Sequence, residues 1–281
     1  MDRKEFKQLW SQTLRSTNSS SDTYNLLAHS VVEVYRSEDA GFRQHLKNRS
    51  GRVTEATRQS FDADNFTVEM ARAFVADEIG FRSWDELIRA VNDPAKRKYP
   101  LLFHYAMAAL WRGDFTALEQ AIGGPNAFDR QAIEWYEKGY LTDEPETMAE
   151  LFAAACWLEH AKTAEFLLDK GVDPYAGMRT GLSGFHWAAS SGKLDVIKLL
   201  VERNVPMEVK SMYDSTPLGQ ALWSAINEHT ESHAAIVEHL IHGGAHVWPG
   251  TLEWWQKQEV PSAETKERIA NALRRHGANN S

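Results

Sequence analysis

The sequence predicts an all-α protein, built as a stack of repeated helical hairpins behind a separate helical module. Three observations lead there. A pattern of apolar residues, alanine pairs and glycine turns recurs every 33 residues in the C-terminal two-thirds. Each copy has the apolar spacing of two short helices rather than of strands. The first hundred residues show helical spacing but no copy of the repeat.

The clearest copy runs from Ser183 as Ser-Gly-Phe-His-Trp-Ala-Ala-Ser-Ser-Gly-Lys-Leu-Asp-Val-Ile-Lys-Leu-Leu-Val-Glu-Arg-Asn-Val. Thirty-three residues later stands Thr216-Pro217-Leu218-Gly219-Gln220-Ala221, whose second helix ends at Leu240-Ile241-His242-Gly243-Gly244-Ala245. Thirty-three residues earlier stand Ala153-Ala154-Ala155-Cys156 and then Ala164 to Gly171. These segments resemble the ankyrin repeat, Thr-Pro-Leu-His-x-Ala-Ala with a following Val-Val-x-x-Leu-Leu helix, and the period is that family's. Weaker copies flank them. Ala106–Phe115 with Ala117–Ile122 has the two-helix shape, and Arg268–Ala278 reads as the second helix of a terminal unit. The resemblance implies about five units over residues 100–281, the outer two degenerate because a terminal unit exposes one face. It also implies that His186 bonds to turn backbone. About seven extra residues near Ser224–Ser232 interrupt the fourth unit, and insertions in repeats map to loops on one face. Gln131–Glu146 is longer than a normal connection; Ile133–Glu137 suggests an extra helical turn and Leu141–Pro145 a loop.

Residues 1–99 are expected to form the N-terminal module. Residues 4–16 and 23–48 read as helices, with Leu26, Leu27, Val31, Val32, Val34 and Tyr35 at helical spacing. Ser19–Asp22 separates them and offers N-cap chemistry. A third helix spans Thr67 to Glu78. Ser83 and Glu86 have the spacing of a capping box opening a fourth over 84–92, with Pro94 ending it. The stretch Ala71-Arg72 to Gly80-Phe81-Arg82-Ser83-Trp84-Asp85-Glu86-Leu87 is similar to a helical module found before ankyrin repeats in bacterial proteins, which implies a cap on the stack. Phe81 and Trp84 read as its core.

Composition narrows the function. The chain has 281 residues, 43% hydrophobic and 25% charged, an ordinary globular balance. No apolar run follows Met1-Asp2-Arg3-Lys4-Glu5 and none reaches membrane-span length, so neither a signal peptide nor a membrane location is expected. The single cysteine, Cys156, allows no internal disulfide, and a cytoplasmic home fits. The net charge of −8 is uneven: residues 1–100 hold 16 Lys+Arg and 15 Asp+Glu, residues 101–281 hold 15 and 24. An acidic surface repels a phosphate backbone, so nucleic acid is excluded as a partner and a basic protein is favoured.

Ten tryptophans suggest where a partner sits. With the units aligned on Ala188-Ala189, the next position is Trp111, Trp157, Ser190 and Trp223 in successive units. In the ankyrin family the residues after this alanine pair face the concave groove. A tryptophan ladder there resembles the anchors that dominate protein interfaces; the alternative is that the indoles pack between helices. Trp187 and Gln220 on first helices, and Arg179, Thr180, Leu182, Met212, Tyr213 and Ser215 at hairpin tips, complete the expected face.

Other signals carry less. His229 and His233 are spaced one turn apart with His239, His242 and His246 after them, but no cysteine joins them and His239 and His242 fall on the standard second helix of a repeat, so no metal is expected. Asp143, Glu144, Glu146 and Glu150 read as a solvated acidic loop, and Arg43, Lys47, Arg49, Arg52 and Arg58 as a solvated basic one. No phosphate loop, dinucleotide fingerprint or nucleophile elbow is present, so no cofactor and no catalytic residue is expected. The resulting expectation is a monomer that recognises another protein without catalysis. Two alternatives stay open: a dedicated inhibitor or immunity protein acting on a toxin or enzyme, and an N-terminal enzyme or sensor domain targeted by the repeats.

Overall fold

The computed structural model describes residues 3–16, 20–37, 43, 66–142 and 144–279. Every regular element among them is helical. None of these helices is long and apolar enough to cross a membrane. The chain forms two compact units, Met1–Arg112 and Gly113–Ser281.

The first unit contains α1 (Arg3–Arg15), α2 (Ser21–Arg36), α3 (Val68–Ile79), α4 (Trp84–Asn92), a 3-10 turn (Pro94–Lys96) and α5 (Leu101–Trp111). Ser20 caps α2 by accepting from the Thr23 N–H, while the Thr23 hydroxyl accepts from the Ser20 N–H. Thr67 caps α3 with a single bond, its hydroxyl accepting from the Met70 N–H. At α4 the expected box is shifted. Ser83 Oγ accepts from the Glu86 N–H at 3.2 Å, but the Glu86 carboxylate reaches the Arg82 N–H at 3.0 Å rather than that of Ser83. The second expected helix stops at Arg36 with Ser37 as its C-cap; residues 38–48 of its expected span lie outside the described residues, apart from Arg43.

Apolar faces of α2, α3 and α4 build the core of this unit: Leu27, Val31, Val34, Tyr35, Val75, Ile79 and Leu87 are buried. Leu26, on the same sequence stripe, faces out. Tyr35 stacks on Phe66 with ring centres 4.2 Å apart. Phe81 is buried against His104, and Trp84 is half-buried under the Arg72 guanidinium, 5.6 Å from its ring. Helix α5 packs on α3. Gly80 permits this, because it ends α3 at φ 91° and a Cβ there would stand 2.9 Å from the His104 carbonyl. The Arg112 guanidinium donates to the last carbonyls of α3, Asp77 and Glu78, at 3.2 and 3.1 Å.

The second unit contains α6 (Phe115–Ile122), α7 (Pro125–Glu137), α8 (Pro145–Leu158), α9 (Ala161–Asp169), α10 (Gly184–Ser190), α11 (Leu194–Glu202), α12 (Pro217–Asn227), α13 (His233–His242), α14 (Thr251–Gln256) and α15 (Ala263–Asn279). First helices stack on first helices, α8 on α10 and α10 on α12. Second helices form their own layer, with α7, α9, α11, α13 and α15 in sequence. Small residues let the inner layer close: Ala153, Ala154, Ala155, Ala188, Ala189, Ala221 and Ala225 are fully buried.

The region around Gln131 differs from expectation. It forms a full helix, α7, which pairs with α6 and stacks on α9. Phe128, Ala132 and Trp135, one turn apart, supply its buried stripe. His160 joins this end of the stack: its ring lies 4.0 Å face-on to Phe128, and its Nε2 is 3.3 Å from Glu119 Oε1. The inserted residues of the fourth copy lengthen α12 and form the loop Glu228–Ser232, which is bonded on both sides. Ser232 Oγ donates to the Gly192 carbonyl at 2.6 Å, and His229 Nε2 meets Thr265 Oγ1 at 3.0 Å.

Candidate functional site

The hairpins that join one pair to the next carry the side chains of interest, and buried polar groups hold them. His186 has no exposed surface. Its Nε2–H donates to the Ser215 carbonyl at 2.8 Å, so Nδ1 accepts from the Ser183 hydroxyl at 2.7 Å. The backbone bond expected of this histidine is therefore made. His233 does the equivalent work one pair later, donating to the Ser190 carbonyl at 3.0 Å and accepting from the Thr230 N–H at 2.9 Å. Burial pushes both imidazoles below the ordinary histidine range, which keeps them neutral in this role. Glu150, placed in a solvated loop by its sequence, is a buried residue of α8. Its Oε1 accepts from the Arg179 N–H at 2.8 Å, anchoring the hairpin before α10, and burial raises its carboxyl above the usual range. Asp143 lies outside the described residues.

The expected partner-binding residues separate into two groups. Trp157 and Trp187 are half-buried and interlock with Phe115, with ring centres 5.6 to 6.2 Å apart. The Trp187 indole also donates to Thr180 Oγ1 at 2.9 Å. Ser190 and Gln220 are buried; the Ser190 hydroxyl meets Ser224 Oγ at 2.9 Å and receives Gln220 Nε2 at 3.4 Å. Leu182 is buried as well. Trp111 belongs to the first unit, where it ends α5 half-buried. In contrast Trp223 is 48% exposed, Met212 and Tyr213 are each 68% exposed, and Arg179 is exposed.

Sequence reasoning missed two residues of the exposed group. Trp248 and Trp254 are 60% and 45% exposed. Adjacent helical residues point about 100° apart, so a single buried stripe takes one of the pair Trp254-Trp255; Trp255 is fully buried and Trp254 faces out. Trp248 and Trp254 border a cleft of about 360 Å³ at the C-terminal end of the stack. Leu218, Leu222 and Val247 give it an apolar lining, and Lys210, Asp214, Ser215, Thr216 and Thr251 add polar groups. His246 packs edge-on against Trp248 at 4.5 Å, and its N–H is held by Glu208 Oε1 at 2.9 Å.

The hairpin of Met212 is well defined. The Met212 N–H donates to the Gly181 carbonyl at 3.0 Å, tying neighbouring hairpin tips together. Gly181 has φ 86°, and a Cβ there would collide with the Met212 sulfur. A second cleft, about 650 Å³, opens among the outer helices α11, α13 and α15 beside His239, His242, His276 and Arg275. Among the described residues, no group of three or more His, Cys, Asp or Glu is placed to hold a metal ion. His229 and His233, spaced one turn apart, spend their ring nitrogens on Thr265 and on backbone instead.

Residues 151–249 match the family model for ankyrin repeats, in three copies. No curated protein matches the chain.

Proposed function

Since residues 151–249 of this chain are ankyrin repeats, we propose that the protein recognises another protein without catalysis, through the concave face made by its first helices and hairpin tips. Ankyrin repeats are interaction modules, and the location of the exposed apolar surface supports this face as the one used. Met212, Tyr213, Trp223, Trp248 and Trp254 are the exposed large apolar side chains of the described second unit. All lie on first helices or on the hairpins that precede them, and none on the outer helices. Leaving such residues in water is unfavourable, and Trp and Tyr are the usual anchors of protein interfaces.

Trp157 and Trp187 serve in this reading as the floor of the face, offering ring edges between their packed neighbours. The partner is basic in the same reading, because residues 101–281 hold 24 acidic and 15 basic side chains.

Affinity capture from native lysate tests it. Wild type is compared with Met212→Ser/Tyr213→Ser/Trp223→Ala and with an outer-face control, Lys198→Ala/Arg275→Ala, all shown to be folded by circular dichroism. A protein retained by wild type and control but lost by the first variant supports the proposal. Equal retention by all three overturns it.

A further inference from the structure

The cleft beside Trp248 and Trp254 has a narrower chemistry than the face around it. Its apolar lining of Leu218, Leu222 and Val247 suits the aliphatic stem of a long side chain. Trp248 and Trp254 are among its lining residues, and an indole's ring face carries negative potential, to which cations are drawn. Among the described residues that line it, Lys210 is the only Lys or Arg, and that ammonium is already paired with Asp214 at 2.8 Å. This pair is exposed on both sides, so exchanging one cation for another costs little. A guanidinium is the better partner for a carboxylate, since it can offer two parallel N–H donors and stack on an indole as it does so. The surroundings favour a cation as well: residues 205–260 contain seven Asp or Glu and two Lys, with no Arg. The walls are held in place, Trp248 against His246 and the His246 backbone by Glu208.

We propose that this cleft is the anchor pocket for an arginine side chain within a basic segment of the partner protein. The stem lies along Leu218 and Leu222, and the guanidinium sits over Trp248 and Trp254 beside Asp214. The proposal rests on the concave-face reading above and adds to it the place and chemistry of the anchor.

The test uses the full-length protein labelled with nitrogen-15, whose indole N–H signals are assigned from single Trp→Phe variants. The probe is the peptide acetyl-Gly-Arg-Leu-Arg-Gly-amide, titrated beside its counterpart with citrulline, an uncharged isostere, in place of both arginines. The arginine peptide is expected to shift the Trp248 and Trp254 signals saturably. Citrulline substitution, or Trp248→Ala in the protein, is expected to weaken binding about tenfold. Asp214→Asn is expected to weaken it about threefold. Equal affinity for the two peptides overturns the proposal, as does unchanged affinity in a folded Trp248→Ala. Shifts confined to Trp157, Trp187 and Trp223 overturn the pocket but leave the concave face standing. Silence of all five indoles overturns the pocket and speaks against the face.

Discussion

Replacing His186 by alanine should loosen the hairpin that carries Met212, Tyr213 and Asp214. The imidazole is fully buried and makes two hydrogen bonds, to the Ser215 carbonyl and from the Ser183 hydroxyl. Each contributes about 1 kcal/mol. The Ser215 carbonyl is not orphaned by the change, because it also accepts from the Ser211 N–H at 2.9 Å. The Ser183 hydroxyl, in a residue with no exposed surface, loses its partner. The void left by the ring adds about 1 kcal/mol, giving a total of about 3 kcal/mol. For a cooperative unit of the second unit's size this lowers Tm by about 6–12 °C. Repeat stacks transmit stability mainly between neighbours, so the damage should concentrate near the altered hairpin. Differential scanning calorimetry reads the global loss, and amide hydrogen exchange at Met212, bonded to Gly181, reads the local one. A Tm within 2 °C of wild type together with unchanged Met212 protection would refute this account of His186.

Acid should destabilise the fold through the same kind of site. His186 and His233 titrate below 6.5 in the folded chain because burial disfavours their charged forms. Between those lowered values and 6.5 the unfolded chain binds more protons, so stability falls as pH drops through that window. Tm measured from pH 7.5 to 5 should therefore decline; a rise would contradict the assignment. Gly181→Ala forces a Cβ into the Met212 sulfur at a left-handed backbone position. It should cost about 1–2 kcal/mol and displace Met212, read by denaturant unfolding and by the Met212 methyl signal; an unchanged unfolding midpoint and methyl shift would contradict it. Glu150→Gln keeps an acceptor for the Arg179 N–H and removes a buried charge. Stability at pH 7 should rise by up to about 1 kcal/mol, and urea titration showing a loss instead would mean that the charge is needed.

The 33-residue period and the alanine pairs marked the central three copies well, because each feature has one structural meaning: tight contact between first helices, or a turn at a helix end. The first pair was harder to read. The run Ala106 to Ala109 resembles a first helix and drew the pairing toward α5 and α6. The helix that pairs with α6 is α7, whose stripe of Phe128, Ala132 and Trp135 is sparse. The tryptophan ladder shows a different limit. Aligned positions share a backbone register but not an environment, which depends on neighbours far away in sequence. Trp157 is packed by Phe115 and Trp187, the hydroxyl of Ser190 is taken by Ser224, and Trp223 stays open. Trp248 and Trp254 escaped notice because the last pair departs from the consensus that set the register.

The central claim is that the inner face of the stack, not its outer helices, meets a protein partner. Site-specific photo-crosslinking addresses it most directly, with a benzophenone amino acid placed at Tyr213, at Trp254 and, on the outer layer, at Lys198 and His242. The account predicts one common adduct from the first two positions and none from the last two. Adducts from Lys198 or His242, with Tyr213 and Trp254 silent, would contradict it.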